Sequence, residues 1–211
     1  MPVQLVWYGA GVCYLNRAAI GFRVHSGWAA MVAVSLEKNE PVVLERRKLQ
    51  LVKTFSYTFR QPYHTAEKMA LNEAAGFVGG VENESRELAL AGIHAVQNEL
   101  QRVDYKVSGC SLLLASGRAL PELEKILASH ALIHTADGEL FRDAIRRSCE
   151  RAKLPLTAVK ERDLLSEAAR RLKKKPEYLN RKVAALGKSL GPPWTQDEKL
   201  SALSAWLVLV S

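Results

Sequence analysis

The order of strand-like and helix-like segments in this 211-residue chain predicts an α/β fold with a five-stranded mixed sheet flanked by helices. Two observations lead to this prediction. The first part of the chain holds consecutive stretches rich in β-branched and aromatic residues, joined by short turns, which is typical of an antiparallel meander. The second part alternates amphipathic helical segments with short apolar ones, which favours parallel strands joined by helices. We therefore expect a three-strand antiparallel meander followed by two parallel strands.

The strands of the predicted meander are marked by turn residues and by a period of two. A tight bend is expected inside the first strand at residues 25–27, and Lys38–Pro41 forms the turn before the second. Phe55, Tyr57 and Phe59 alternate with polar residues in the third strand. The predicted strands cover residues 20–34, 41–52 and 54–60.

After residue 60 the apolar residues recur every three to four positions, which indicates helices. Gly79 and Gly80 are expected to separate the first two helices. Residues 107–115 and 156–159 are the predicted fourth and fifth strands. The predicted helices cover residues 65–77, 82–103, 120–152, 163–175 and 197–210, with a polar helical piece between Pro176 and Pro192.

The chain is divided into an apolar N-terminal tail, residues 1–19, and a single α/β domain, residues 20–211. No basic residue precedes the apolar run of the tail, so a secretory signal is a poor fit. The three cysteines lie far apart without a CxxC pair, which excludes a zinc knuckle and a dithiol redox motif. Reduced thiols and the lack of any bilayer-spanning run favour a cytoplasmic location.

The net charge of +8 is concentrated in the C-terminal half. Residues 142–188 contain fifteen lysines and arginines against six acidic residues, and residues 160–211 form a basic helical region. Such a field favours a polyanionic partner, first nucleic acid and second an acidic membrane surface. The alternative is a solvated helical face. The candidate phosphate-binding residues are Arg170, Arg171, Lys173, Lys174, Lys175, Arg181 and Lys182.

The segment 129–142 combines apolar and ionisable residues most densely. On a helix, His130, His134 and Asp137 share one face, which predicts a two-histidine, one-carboxylate site for a divalent metal, completed by Glu139 or His64. Without a metal, His134 would act as a general base paired with Glu139 or Asp137. His64 is a further candidate catalytic residue. Alternatively, these histidines satisfy buried polar groups, and His64 caps a local helix.

Three stretches of the chain resemble the ribonuclease H-like fold, and within it the branch of Holliday-junction resolvases. Residues 21–29, which contain Gly21-Phe22-Arg23 and Ser26-Gly27-Trp28-Ala29, resemble the first strand and turn of that branch. Residues 111–159 resemble its fourth strand, long helix and fifth strand, and Ser201–Trp206 resembles its last helix. The resemblance covers most of residues 20–210 and implies a nucleic-acid-directed protein.

Active members of that branch place acidic residues on the first strand, at the end of the fourth strand and on the last helix, where they hold two divalent metals. In this chain the corresponding residues are Arg23, Ala115 or Ser116, and Ser201, with Asp197 one turn before. Hard cations need carboxylate oxygens, so the two-metal site is expected to be absent.

Arg23, with His25 and Trp28, is instead expected to hold a phosphate or a base. The alternative is that Trp28 is a core residue and Arg23 forms an ion pair with Glu45.

Three hypotheses for function follow from the sequence. The first is a nucleic-acid-binding ribonuclease H-like domain that lacks the acidic two-metal site. The second is a metal-dependent hydrolase or nuclease with a rebuilt site of histidine, aspartate and glutamate residues. The third is a non-catalytic interaction module that forms a homodimer through its apolar N-terminus and its final helix.

Overall fold

The computed structural model describes residues 6–8, 11–13, 16–115 and 119–210. The strands are β1 (Val6–Tyr8), β2 (Gly11–Cys13), β3 (Asn16–His25), β4 (Trp28–Glu37), β5 (Glu40–Gln50), β6 (Tyr105–Leu114) and β7 (Leu156–Lys160). The helices are α1 (Tyr57–Arg60), α2 (Pro62–Ala66), α3 (Leu71–Gln101), α4 (Leu123–Leu127), α5 (His130–Arg151), α6 (Leu164–Leu172), α7 (Pro176–Leu186) and α8 (Gln196–Leu209).

The main sheet has the strand order β5-β4-β3-β6-β7. Strands β3, β4 and β5 pair antiparallel, whereas β6 pairs parallel with β3 and β7 pairs parallel with β6. Strands β1 and β2 form a separate two-stranded ribbon. The predicted fold class, with a three-strand antiparallel meander and two parallel strands, is therefore confirmed.

Helices cover both faces of the sheet because successive side chains of a strand point to opposite sides. Ile20 and Phe22 of β3 pack into the core beneath α3 and α5. Ala19, on the other face, packs against α8, which also contacts β4, β6, α6 and α7. The final helix is thus a core element. Its apolar side chains are buried within the protein, so they are not available for the dimer contact that the sequence predicts.

The meander differs from the predicted one in its strand boundaries. The first predicted strand is a hairpin of β3 and β4, whose turn contains Gly27 at a φ of +82°. The first strand starts at Asn16, so residues 16–19 belong to the sheet. The predicted strand at residues 54–60 is wrong, because the chain there forms turns and α1. Phe55 and Tyr57 remain 45% and 61% exposed, so their alternation does not mark a buried sheet face.

Two helix boundaries also differ from the predicted ones. Helix α3 runs through Gly79 and Gly80, because buried residues such as Val78 and Val81 continue its apolar stripe on both sides of the glycines. The predicted helix at residues 120–152 is divided into α4 and α5. The predicted start of the last helix is confirmed, since Thr195 caps α8 in a capping box with Glu198.

Two cysteines that are distant in sequence become neighbours in the core. The thiols of Cys110 and Cys149 are buried and form a hydrogen bond, and this bond together with burial raises the pKa of Cys110 well above its ordinary value. Both are free thiols. None of the helices in the described ranges is both long enough and apolar enough to cross a bilayer.

The parallel strands define two edges of the sheet that matter for the sites below. The edge at which β3, β6 and β7 end is called the carboxyl edge, and the edge at which they start is called the amino edge. Helices α5 and α8 begin at the carboxyl edge, where Asp197 of α8 contacts Arg23 near the end of β3.

The close packing of α8 on β3 gives a first prediction. A Cβ added at Gly21 would lie 1.9 Å from the carbonyl oxygen of Ser201, so Gly21→Ala should lower the free energy of unfolding by about 1–3 kcal/mol or more. Gly80→Ala is the matched control, because Gly80 lies in α3 with nothing near the added methyl group. It should stabilise the protein by about 0.5–1 kcal/mol in urea unfolding. Equal effects of the two substitutions would contradict this packing.

Candidate functional site

The first candidate site is the Arg23 cluster, which consists of Arg23, His25, Glu161 and Asp197 at the carboxyl edge. Arg23 donates from Nε and Nη2 to the two carboxylate oxygens of Glu161 at 2.9 and 2.8 Å, which is a bidentate pair. Its Nη1 donates to Asp197, and the Nε2 of His25 lies 3.0 Å from the same carboxylate oxygen. One guanidinium therefore joins the end of β7 to the start of α8.

Opposite charges within the Arg23 cluster pair with one another. Hydrogen bonds to Glu161 raise the pKa of Arg23, so the guanidinium stays charged. Burial works to raise the pKa of Asp197, but hydrogen bonds from Arg23 and His25 outweigh it, and the pKa lies below its usual value. The cation that was predicted to bind a phosphate is thus already bound by two carboxylates of the protein.

The positions that resemble the acidic residues of active resolvases hold no carboxylate among the described residues. The hydroxyl of Ser201 is fully buried and donates to the carbonyl of Ala30, so it faces the sheet. Ala115 is exposed, and Ser116 lies outside the described residues. Glu161 was not predicted as a site residue. Its signal in the sequence is its position directly after a parallel strand, where ligand-binding residues of α/β sheets gather.

Aromatic and cationic side chains surround the Arg23 cluster. His25 stacks on Trp28 with ring centroids 4.4 Å apart. The ammonium group of Lys48 lies 4.4 Å from the centre of the Trp28 ring, and it also approaches Phe55. Trp28 is therefore a half-buried edge residue, and Arg23 pairs with Glu161 and Asp197 instead of Glu45.

The second candidate site is the histidine cluster, formed by His64 of α2 and His130 and His134 of α5. One ring nitrogen of each histidine lies within 4.8 Å of the others. The Nε2 atoms of His130 and His134 are 3.1 Å apart, because residues at i and i+4 lie side by side on a helix. His64 is half-buried, whereas His130 and His134 are exposed to solvent.

Asp137 stands behind His64 and is not one of the converging groups. It is 3% exposed, accepts a hydrogen bond from the backbone N–H of Tyr63 at 2.8 Å, and is bound by Nδ1 of His64. Burial raises the pKa of Asp137, although the hydrogen bonds from His64 and Tyr63 oppose this shift. Of the residues predicted from the helical face, His130 and His134 converge, and His64, one of the two residues expected to complete the site, takes the place of Asp137.

Glu139 lies apart from the histidine cluster. It forms an ion pair with Arg142 at 3.0 Å and lines a cavity of about 420 Å³ together with Tyr63, Glu82 and Asp143. It follows His134 by five positions, which places the two side chains on different faces of α5. The predicted pairing of His134 with Glu139 is not formed.

The predicted phosphate-binding residues fall into two groups. Some already have partners. Arg170 forms an ion pair with Glu167 at 2.6 Å, and Lys182 forms one with Glu40 at 2.5 Å. The ammonium group of Lys174 lies 5.2 Å from the ring of Tyr178, and the half-buried Arg171 also interacts with another group of the protein. Lys173, Lys175 and Arg181 are exposed and form no ion pair with the described residues. Because Glu40 lies at the amino edge, the loop from Lys173 to Lys175 lies near that edge, opposite the Arg23 cluster.

The lowered pKa of Asp197 gives a prediction for acid stability. A carboxyl group whose pKa is lower in the folded state stabilises the protein above its unfolded-state pKa of about 3.9, and the contribution is lost as the pH falls through the folded-state value. Asp197→Asn should therefore be less stable than the parent at pH 7, and the difference should shrink below about pH 4. Urea unfolding at several pH values measures it. Asp163→Asn, at the same edge, controls for the loss of one charge, and a pH-independent difference for Asp197→Asn would contradict the assignment.

Comparisons with known proteins detect similarity in structure only. No protein-family model matches the sequence, and no curated protein matches it. The Aquifex aeolicus member of the Ppx/GppA family gives a TM-score of 0.36 at 10% identity, covering 76% of this chain and 41% of that one. A second structure, Thermus thermophilus RuvC, gives 0.49 at 10% identity, with 90% and 92% of the two chains covered.

The structure of T. thermophilus RuvC in complex with Holliday junction substrate gives a TM-score of 0.50 at 11% identity. The alignment covers 90% of this chain and 91% of RuvC. At this identity the similarity concerns the fold, and it agrees with the strand order and helix layers described above. The chain has the ribonuclease H-like fold, in the form shared with a Holliday-junction resolvase.

Proposed function

We propose that this protein binds nucleic acid through the amino edge of its sheet and does not cleave it by a two-metal mechanism at the carboxyl edge. The observation that carries the proposal is a row of exposed cations at the amino edge, together with the pairing of Arg23 at the carboxyl edge. At the carboxyl edge, Arg23 is bound by Glu161 and Asp197. At the amino edge, exposed cations lie without ion pairs to the described residues.

The exposed cations at the amino edge form a basic rim along the strand starts. One lies in β3, one in the turn between β4 and β5, one just after α3, one just before β7, and two in the loop between α6 and α7. Such a row of cations attracts a polyanion by releasing its counterions, whatever its sequence. The residues of the basic rim are Arg17, Lys38, Arg102, Lys153, Lys173 and Lys175.

The backbone supports a role for the rim beyond folding. Lys38, Lys153 and Lys173 have positive φ values of 50°, 56° and 53°. This left-handed conformation costs a residue with a Cβ roughly 1–2 kcal/mol, and glycine adopts it freely. Lysine is thus not the residue that local stability favours at these three turns, whereas a charge presented at a chain reversal suits contact with phosphates.

The carboxyl edge supports the absence of two-metal cleavage. Two divalent cations need several carboxylate oxygens, and the carboxylates of Glu161 and Asp197 already accept hydrogen bonds from one guanidinium. The fold itself is compatible with nucleic-acid binding, since the similar RuvC structure is a complex with Holliday junction substrate.

The basic rim can be tested without weakening the fold. In the variant Lys38→Gly, Lys153→Gly and Lys173→Gly, relief of backbone strain should leave the stability unchanged or raised, while binding of labelled duplex DNA weakens. The slope of log K against log salt should become shallower by up to about 0.9 for each lost phosphate contact. Fluorescence anisotropy over a salt series measures both quantities.

The matched control removes three exposed lysines at the carboxyl edge, in the variant Lys53→Ala, Lys68→Ala and Lys125→Ala. It carries the same change in net charge and should keep nearly the parent slope. If both variants lose binding equally, the interaction is a property of net charge, and the assignment to the amino edge is wrong. If the parent does not bind, the proposal itself is wrong.

Arg23→Asp tests the proposal that the carboxyl edge does not hold two metal ions. It replaces the bound cation with a third carboxylate beside Glu161 and Asp197, so the variant should be destabilised by repulsion and its melting temperature should rise on addition of millimolar Mg²⁺ or Mn²⁺. The parent and the control Arg23→Gln should show no such rise. A parent protein that gains as much from these ions, or cleaves DNA with them, would contradict the proposal.

A further inference from the structure

We propose that His64, His130 and His134 form a binding site for a divalent transition-metal ion, with Zn²⁺ as the best-fitting ion and with a fourth coordination position open to solvent. The proposal does not depend on nucleic-acid binding. The histidine cluster lies on the face of the sheet covered by α3 and α5, whereas the Arg23 cluster lies on the face covered by α8.

The distances within the histidine cluster suit one metal ion. Zn–N bonds of about 2.0–2.1 Å in a tetrahedral site hold the ligand nitrogens roughly 3.3–3.4 Å apart. The Nε2 atoms of His130 and His134 are already 3.1 Å apart, and a nitrogen of His64 completes the group within 4.8 Å. Small rotations of the two exposed side chains, which are not confined by the core, would close the remaining distance.

The orientation of His64 is fixed by the protein. Its Nδ1 atom binds the buried carboxylate of Asp137, which is held in turn by the backbone N–H of Tyr63. Nδ1 therefore carries the proton, and the lone pair of Nε2 is left to bind a metal. A carboxylate that orients a ligating histidine in this way is the usual outer partner in zinc sites, and it makes the imidazole a better donor.

The chemistry of the donors selects the class of ion. Three neutral imidazoles suit borderline ions such as Zn²⁺, Cu²⁺ and Ni²⁺, whereas Mg²⁺ and Ca²⁺ require oxygen ligands. The only carboxylate that contacts the cluster among the described residues is Asp137, and it is occupied by His64 and Tyr63. The site would therefore discriminate strongly against the hard cations that two-metal nucleases use.

The exposure of the cluster sets what the fourth position can hold. His130 and His134 are exposed, so the open side of the metal would face solvent. Three protein ligands and one exchangeable position are typical of catalytic zinc sites, whereas structural sites are closed by a fourth side chain. Water or an oxygen of an anionic ligand would occupy this position.

Metal titration of the tag-free protein tests the proposal. We expect one Zn²⁺ per chain by competition with a chromophoric chelator, and a visible absorption spectrum of the Co²⁺ form that indicates tetrahedral coordination. His130→Ala and His134→Ala should each lower the affinity by at least the roughly 10–100-fold that loss of an outer-shell partner causes. Both side chains are exposed, so these variants should fold, as circular dichroism would verify.

His94→Ala is the matched control, because His94 is an exposed histidine of α3 outside the cluster. It should bind Zn²⁺ as the parent does. Asp137→Asn should keep the stoichiometry, lower the affinity roughly 10–100-fold and shift the Co²⁺ spectrum, because the orientation of His64 is lost. Absence of stoichiometric binding, or equal affinities for the parent, His130→Ala and His134→Ala, would overturn the site.

Discussion

The guanidinium of Arg23 connects the N-terminal part of the chain to its C-terminal part. It lies on β3, in the middle of the sheet, and binds Glu161 after β7 and Asp197 in the first turn of α8. Its partners come from elements that are distant in sequence, so the bonds fix how β7 and α8 are placed against the central strand. Removing the cation alone would leave two partly buried carboxylates without the guanidinium that binds them, which costs more than the loss of an exposed ion pair.

Under the proposed function, the same interaction would direct a polyanion away from the carboxyl edge. In sheets with parallel strands the carboxyl edge is the usual place for ligands, because strand ends and helix starts meet there. Here Glu161 and Asp197 already bind the guanidinium of Arg23 at that edge on one face, and the histidine cluster lies there on the other. The proposed binding surface is the basic rim at the amino edge, where three of the lysines have positive φ values. The proposed metal site lies on a different surface.

Local patterns in the sequence were sufficient to predict the fold. The change from period two to a helical period, the apolar β6 and the capping residue Thr195 all depend on neighbours within a few positions. The same logic failed at residues 54–60, because an alternating aromatic pattern does not reveal whether a sheet is present to cover it. It also failed at Gly79 and Gly80, where packing of α3 on α5 outweighs the weak helix propensity of glycine.

The residues of the candidate sites could be predicted only in part from the sequence, for a related reason. The spacing of His130 and His134 follows from helix geometry, so their proximity could be predicted. His64 was predicted only as one of two residues that could complete the site, because its approach depends on α2, which packs on α5 from a distant part of the chain. Glu161 was missed because its position directly after β7 does not by itself show that it meets Arg23, which lies two strands away in the sheet.

The contacts of Asp137 bear on how a metal would act in this protein. Its carboxylate joins α2 to α5 through the N–H of Tyr63 and through Nδ1 of His64, and both bonds are formed between groups of the protein. In small domains that fold only around zinc, by contrast, metal binding is folding. Here a core that includes Ile133 and Phe141 already holds α5 against the sheet. A metal would therefore meet a preformed site, and little of its binding energy would be spent on ordering the chain. Such an ion is expected to be exchangeable, and its removal should leave the fold intact.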